Sequence, residues 1–140
     1  MLRDERVPVR LVISALWVAT MLCYVHGDIF NLFRPGRLEA LMAGRTPVGP
    51  TTQAVLLAFA ISMAIPSAMV FLTLVVRPQM NRWMNIVLGV LYTLIMLITM
   101  VGQWTFYVFL GLVEITLTAL IVWYAWTWPK QETVSPGMKS

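Results

Sequence analysis

The chain has 140 residues, of which 59% are apolar and 11% charged, with a net charge of +4 and a mean hydropathy of +0.79. Soluble domains carry about 25% charged residues, so this chain lacks the polar surface to face water on all sides; the deficit is explained if most of that surface faces lipid. The ten basic residues stand almost wholly in the gaps between apolar runs, the pattern of charges that set membrane topology rather than of a groove for phosphates, and nucleic acid is set aside as a partner.

The first apolar run extends from about Val9 to Phe30, after a basic start over residues 1–8. A signal peptide opens in the same way. No small-x-small cleavage site follows, however, and Leu22 before Cys23 does not suit lipoprotein cleavage, so the run is read as a retained helix. Ser14, Trp17, Met21, Tyr24 and Asp28 lie along one face of it. Asp28, near the outer boundary, is expected to brace the outer loop by pairing with Arg34 or Arg37; the alternative is a vestibule leading to Glu114. Cys23 is the only cysteine and His26 the only histidine. No further Cys or His completes a metal site around them, and neither a disulfide, a bis-histidine haem nor any other cofactor is expected.

The outer loop, residues 31–52, contains a stretch of good helix formers at 37–43, closed by Gly44 at a C-cap position. A short helix lying in the interface is expected there, followed by the Pro47-Val48-Gly49-Pro50 break. The second run spans about Gln53 to Val76. Pro66 falls in its middle, removes a backbone hydrogen bond and frees the carbonyl of Ser62, so a kink is expected. Arg77-Pro78-Gln79-Met80-Asn81-Arg82 then reads as a short basic turn, with Pro78 helping to stop the second helix.

The third run covers about Trp83 to Val101, with Asn85, Gly89, Tyr92 and Thr99 marking one face. Only Gly102-Gln103 separates it from the fourth, about Trp104 to Trp128, which demands a tight antiparallel hairpin. The polar tail, 131–140, reads as disordered and cytoplasmic. Each run reaches the roughly 20 residues a spanning helix needs, and backbone inside hydrocarbon must satisfy its own hydrogen bonds. The expected fold is all-α, a four-transmembrane-helix bundle over residues 9–130 with a short interfacial helix in the first outer loop.

Charge orients this bundle. Arg3, Arg6, Arg10, Arg77, Arg82, Lys130 and Lys139 fall on one side, and Arg34, Arg37 and Arg45 on the other. The richer side is expected to be cytoplasmic, with both termini inside. Trp83, Trp123, Trp126 and Trp128 at the inner boundary, and Trp104 and Tyr107 at the outer one, agree with that frame.

Glu114 is the first candidate for chemistry. Ten residues separate it from Trp104, about 15 Å of helix rise, which puts it near the bilayer midplane. An ionised carboxylate there costs at least a few kcal/mol, so Glu114 is expected to face the bundle and to be protonated or hydrogen-bonded. Tyr107, Gly111, Glu114 and Thr118 share its face, and small or polar residues on such a face suit close helix contact. Counting back across the hairpin reaches Tyr92 at similar depth, a donor for the carboxyl. The candidate proton- or ligand-binding set is Glu114, Tyr92, Asp28 and Tyr24. Pro66, Gly111, Asn85 and Trp126 are read as structural.

Several marks together resemble a family of small bacterial four-helix membrane proteins classed as a domain of unknown function. They are Leu16-Trp17 and Tyr24-x-x-x-Asp28, then Leu32 and Pro35, Ile65-Pro66-x-Ala68-Met69, and Asn81-Arg82-Trp83-x-Asn85-Ile86. Glu114-Ile115 and Ile121-Val122-Trp123-Tyr124-Ala125-Trp126 complete them. The resemblance covers roughly residues 11–128. It implies the four-helix fold, a bacterial inner-membrane location and a set of recurrent polar residues, but no reaction, substrate or cofactor. Such a family carries an acidic residue where this chain has Ala64, so a two-carboxylate relay is not carried over.

The functional expectation is a non-enzymatic structural or accessory membrane component, in contact with the lipid bilayer and assembled with itself or with another membrane protein. The alternative is a small proton- or cation-coupled transporter or channel using Glu114. A quinone- or lipid-linked enzyme subunit has the least support, since no cofactor ligands are visible. Small multidrug transporters share the size, but their buried Glu is in the first helix; here it is in the last.

Overall fold

In the computed structural model, Leu2 and residues 4–129 are described; the expected disordered tail at 131–140 lies outside the described residues. The order is α1 (Val9–Asn31), α2 (Arg37–Met42), β1 (Arg45–Thr46), β2 (Gly49–Pro50), α3 (Gln53–Val75), α4 (Pro78–Met100) and α5 (Thr105–Trp126). Helices α1, α3, α4 and α5 are long and apolar enough to cross a membrane, with mean hydropathies from 1.6 to 2.3 in their most apolar windows. They form the expected bundle of four. Its outer surface is apolar, as exposed Leu22, Leu57, Phe71, Ile98 and Phe109 show.

Local chemistry sets the ends of the elements. Thr52 caps α3, its Oγ1 accepting from the Val55 N–H at 3.1 Å. Gly44, with φ of +79°, follows α2 in the left-handed conformation that suits glycine. The Pro47–Pro50 break contains a minimal antiparallel bridge, Arg45 opposite Pro50 and Thr46 opposite Gly49.

The third long helix starts at Pro78 rather than near Trp83. Pro78 sits in the first turn of α4, where proline's missing N–H has no intrahelical acceptor to lose. The expected basic turn is therefore mostly helix, and only Val76 and Arg77 connect α3 to α4.

Helix α1 packs between α3 and α5, and α5 also packs against α4, whereas α3 and α4 touch sparsely despite being consecutive. The order around the bundle is thus α1, α3, α4, α5. Its centre holds Ile13, Trp17, Tyr24, Met69, Tyr92, Met96, Ile121 and Ala125.

Helices α4 and α5 approach closely at Gly89. A Cβ there would lie 2.6 Å from Val122 Cγ2 and 3.3 Å from the Thr118 carbonyl oxygen of α5. Neither neighbour yields easily, one being a β-branched side chain and the other backbone. Overpacking costs about 1–3 kcal/mol, against about 0.5–1 kcal/mol regained from helix propensity. Gly89→Ala is expected to lower the thermal stability of the detergent-purified protein; a variant at least as stable as wild type would show that α4 and α5 need not approach this closely.

Three arginines tie the helix ends together. At the end where α1 starts, Arg10 Nη1 donates to the carbonyls of Thr73 (3.3 Å), Leu74 (3.1 Å) and Val76 (2.7 Å), at the close of α3. Arg82 donates to Ala125 (3.0 Å) and Trp126 (2.9 Å), at the close of α5. Each cation sits on the partial negative charge of its antiparallel neighbour's C-terminus. At the α2 end, Arg34 donates to Gln103 at 3.1 Å in the α4–α5 hairpin and lies 4.9 Å over the Trp104 ring.

Candidate functional site

Two polar groups of opposite character occupy the interior. The first is a bonded network on the side of the bundle where α1 begins. Trp17 Nε1 donates to Asn85 Oδ1 at 2.7 Å. Asn85 Nδ2 donates to Asn81 Oδ1 at 2.6 Å and to the Asn81 carbonyl at 2.9 Å. Asn81 Nδ2 in turn donates to the Thr73 carbonyl at 2.6 Å. These contacts join α1, α3 and α4 through side chains that are 0–1% exposed. The Asn81/Asn85 spacing of one helical turn, in an otherwise apolar run, was the available sequence signal for this network. Both asparagines stand in the Asn81-Arg82-Trp83-x-Asn85-Ile86 stretch, and Asn85 is the one on the marked face of the third run.

Tyr92 belongs to this satisfied set. Its hydroxyl donates to the Ser62 carbonyl at 2.6 Å, which is the backbone acceptor freed by Pro66. The expected Tyr92–Glu114 hydrogen bond is therefore not formed. The physical reason is competition: a carbonyl stripped of its helical donor and half-buried between α3 and α4 needs a partner, and the phenol of α4 reaches it. Proline, tyrosine and carbonyl form one structural unit across the sparse α3–α4 seam.

The second group is unsatisfied. Glu114 is 3% exposed, and its Oε2 has no hydrogen-bond partner among the described residues; the same holds for the hydroxyl of Tyr24, at 9% exposure. Tyr24 on α1 and Glu114 on α5 lie within electrostatic range of each other, on helices that pack as neighbours. Tyr92 and Tyr107 also stand in range of Tyr24, and the Tyr24 and Tyr92 rings are 6.3 Å apart. Asp28, one turn beyond Tyr24 toward the α2 end, is exposed and within electrostatic range of Glu114. Of the two arginines expected as alternative partners of Asp28, Arg34 is engaged with Gln103, Asn31 and Trp104, and Arg37 lies within electrostatic range of Asp28.

The walls of this second site differ by direction. Toward the end where α1 begins, Thr118 and Thr93 share a hydrogen bond of 2.6 Å between α5 and α4, and fully buried Trp17 and Ile121 lie in the core there. Toward the α2 end, Gly111 packs against Met96 and Met100, whose Sδ atoms lie 3.3 and 2.6 Å from where a Cβ would stand. Flexible thioethers form that wall. Of the residues read as structural, Trp126 contributes its carbonyl to Arg82, and its ring lies 5.4 Å from the guanidinium.

Among the described residues, no group of three His, Cys, Asp or Glu side chains converges. A Ca²⁺ or Mg²⁺ ion takes six or more oxygen ligands, which one carboxyl and one phenol do not approach. The chemistry that Glu114 and Tyr24 can perform is proton exchange and hydrogen bonding to a small polar guest such as water.

Fold and site together define a class: a four-helix bundle of spanning-length helices that encloses one unpaired carboxyl. Within that class, the chain belongs to a family of unknown function, DUF6326, which matches residues 4–135. Neither the curated proteins nor the solved structures provide a match.

Proposed function

We propose that the protein is a non-enzymatic, multi-pass inner-membrane protein whose working element is a reversible proton site at Glu114, and that it acts in proton-coupled movement across the bilayer. The observation that carries this reading is the buried pair of unpartnered oxygens, Glu114 Oε2 and Tyr24 Oη. A carboxyl serving only as interhelical glue would be bonded across the interface, as Asn85 is. An orphaned buried polar atom costs about 1–3 kcal/mol, and a bundle that, among the described residues, leaves only these two fully buried side-chain atoms without a partner is built for a guest. Intramembrane carboxyls facing a bundle interior are the usual carriers of protons.

The test is proton flux. Purified protein in liposomes, given a pH gradient and an interior pH dye, is expected to show flux above empty liposomes that Glu114→Gln abolishes. Equal flux from wild type and Glu114→Gln would overturn the proposal. So would a Glu114→Gln variant that changes thermal stability while neither protein conducts, which favours the accessory role.

The proposed topology places both termini in the cytoplasm, supported by the seven-to-three division of basic residues. In a Cys23→Ser background, Met42→Cys is expected to react with an impermeant thiol reagent from the outside and Gln79→Cys only from the inside. Labelling of both from one side would refute the arrangement.

A further inference from the structure

A second feature lies at the other end of the molecule from the α2 loop. An open groove of about 740 Å³ runs along the first turns of α4, lined by Arg77, Gln79, Met80, Trp83, Met84, Val87 and Leu88. It opens on the helix that α3 contacts only sparsely. Polar groups stand at its head. Its apolar wall then continues through Met80, Met84 and Val87, one helix face at i, i+4 and i+7 spacing, and reaches Leu88 about 13 Å along the axis from Gln79.

The arginines at this end are not equivalent. Arg10 is engaged by three carbonyls of α3 and lies 5.8 Å from the Trp128 ring. Arg82 is engaged by two carbonyls of α5 and by the Trp83 and Trp126 rings. Arg77, at the head of the groove, has no hydrogen-bond or ring partner among the described residues, and no carboxylate lines the groove with it.

We infer that this groove binds one anionic phospholipid, its phosphate held by Arg77 and Gln79 and an acyl chain lying along Met80, Met84, Val87 and Leu88. A guanidinium pairs with phosphate through two parallel N–H donors. Half-exposed Trp83 belongs at the headgroup level, where indoles concentrate. The lining offers a cation and an amide but no anion to receive a choline or ethanolamine group, so charge favours an acidic headgroup over a zwitterionic one. Basic residues at a membrane surface attract acidic lipids in this way. The site is independent of Glu114, which lies on α5, and stands whether or not the protein moves protons.

Native mass spectrometry of the delipidated full chain, titrated with phosphatidylglycerol or phosphatidylcholine, tests the inference. Wild type is expected to retain one phosphatidylglycerol under activation that strips phosphatidylcholine. Arg77→Gln is expected to weaken that retention about fivefold, the effect of one interfacial cation, while Arg37→Gln at the opposite end leaves it unchanged. Val87→Trp, which fills the groove and keeps the charge, is expected to lower it as well. Equal retention of the two lipids by wild type, an unchanged Arg77→Gln, or loss of the adduct in both arginine variants alike would overturn the assignment. Displacement of the lipid by millimolar inorganic phosphate would also overturn it, showing a site for free phosphate.

Discussion

Asn85→Ala is expected to destabilise the bundle by about 2–4 kcal/mol, since it strands several buried groups at once. Trp17 Nε1 loses its acceptor and Asn81 Oδ1 its donor, at sites with 0–1% exposure. A cavity adds to the loss. The network also fixes position: three helices meet at this one side chain, so its removal frees α1 and α4 to slide. Reversible unfolding in mixed detergent micelles measures the change. Asn85→Leu, which keeps the branched outline of the side chain and leaves no cavity, separates the hydrogen-bond loss from the cavity. If both variants unfold like wild type, the asparagine does not hold the bundle together, and specificity must come from apolar packing alone.

The opposite sign is expected at the candidate site. Glu114→Leu and Tyr24→Phe each delete a buried oxygen that no protein group satisfies, while keeping much of the side-chain volume. Replacing an unpaired buried polar group by an apolar one of similar shape is neutral or stabilising, here by up to about 1–3 kcal/mol. Both variants are expected to unfold at or above the wild-type midpoint, and Glu114→Leu to lose proton flux entirely. Residues held for function at a cost in stability behave in this way. If Glu114→Leu instead unfolds as easily as Asn85→Ala, Glu114 is a structural residue and the proton-site reading fails.

The two sites differ in how far sequence reasoning could reach them. Glu114 was legible because a carboxyl in a long apolar run has few explanations, and its place midway along the last helix follows from counting residues alone. Pro66 and its freed Ser62 carbonyl were legible for the same local reason. The partner of that carbonyl was not. Tyr92 is at the right depth for both Ser62 and Glu114, and which of them it meets depends on how α4 is rotated against α3. Tyr24 was visible as a polar residue on the Trp17 face. That it stands near Glu114 follows from α1 lying beside α5, at the two ends of the chain.

The start of α4 was a different kind of miss. Arg77-Pro78 ends one helix and begins the next, and a proline read as a stop serves equally as a first-turn residue. The arginine caps were hidden in another way, since Arg10 and Arg82 bond carbonyls more than forty residues distant. Their role as topology charges was all that a local reading could see.

The sequence by itself determined four spanning-length helices, the bounds of three of them to within about two residues, the short α2 and the place of the carboxyl midway along the last helix, because hydropathy, helix rise and capping chemistry act within a few residues of chain. Only the tertiary structure decided that α1 is the shared neighbour of α3 and α5, that Tyr92 answers Pro66, and that Glu114 and Tyr24 are left open together. Those outcomes depend on helix rotation and order, which are set by the sum of many weak contacts, such as the close approach at Gly89, between residues far apart in the chain.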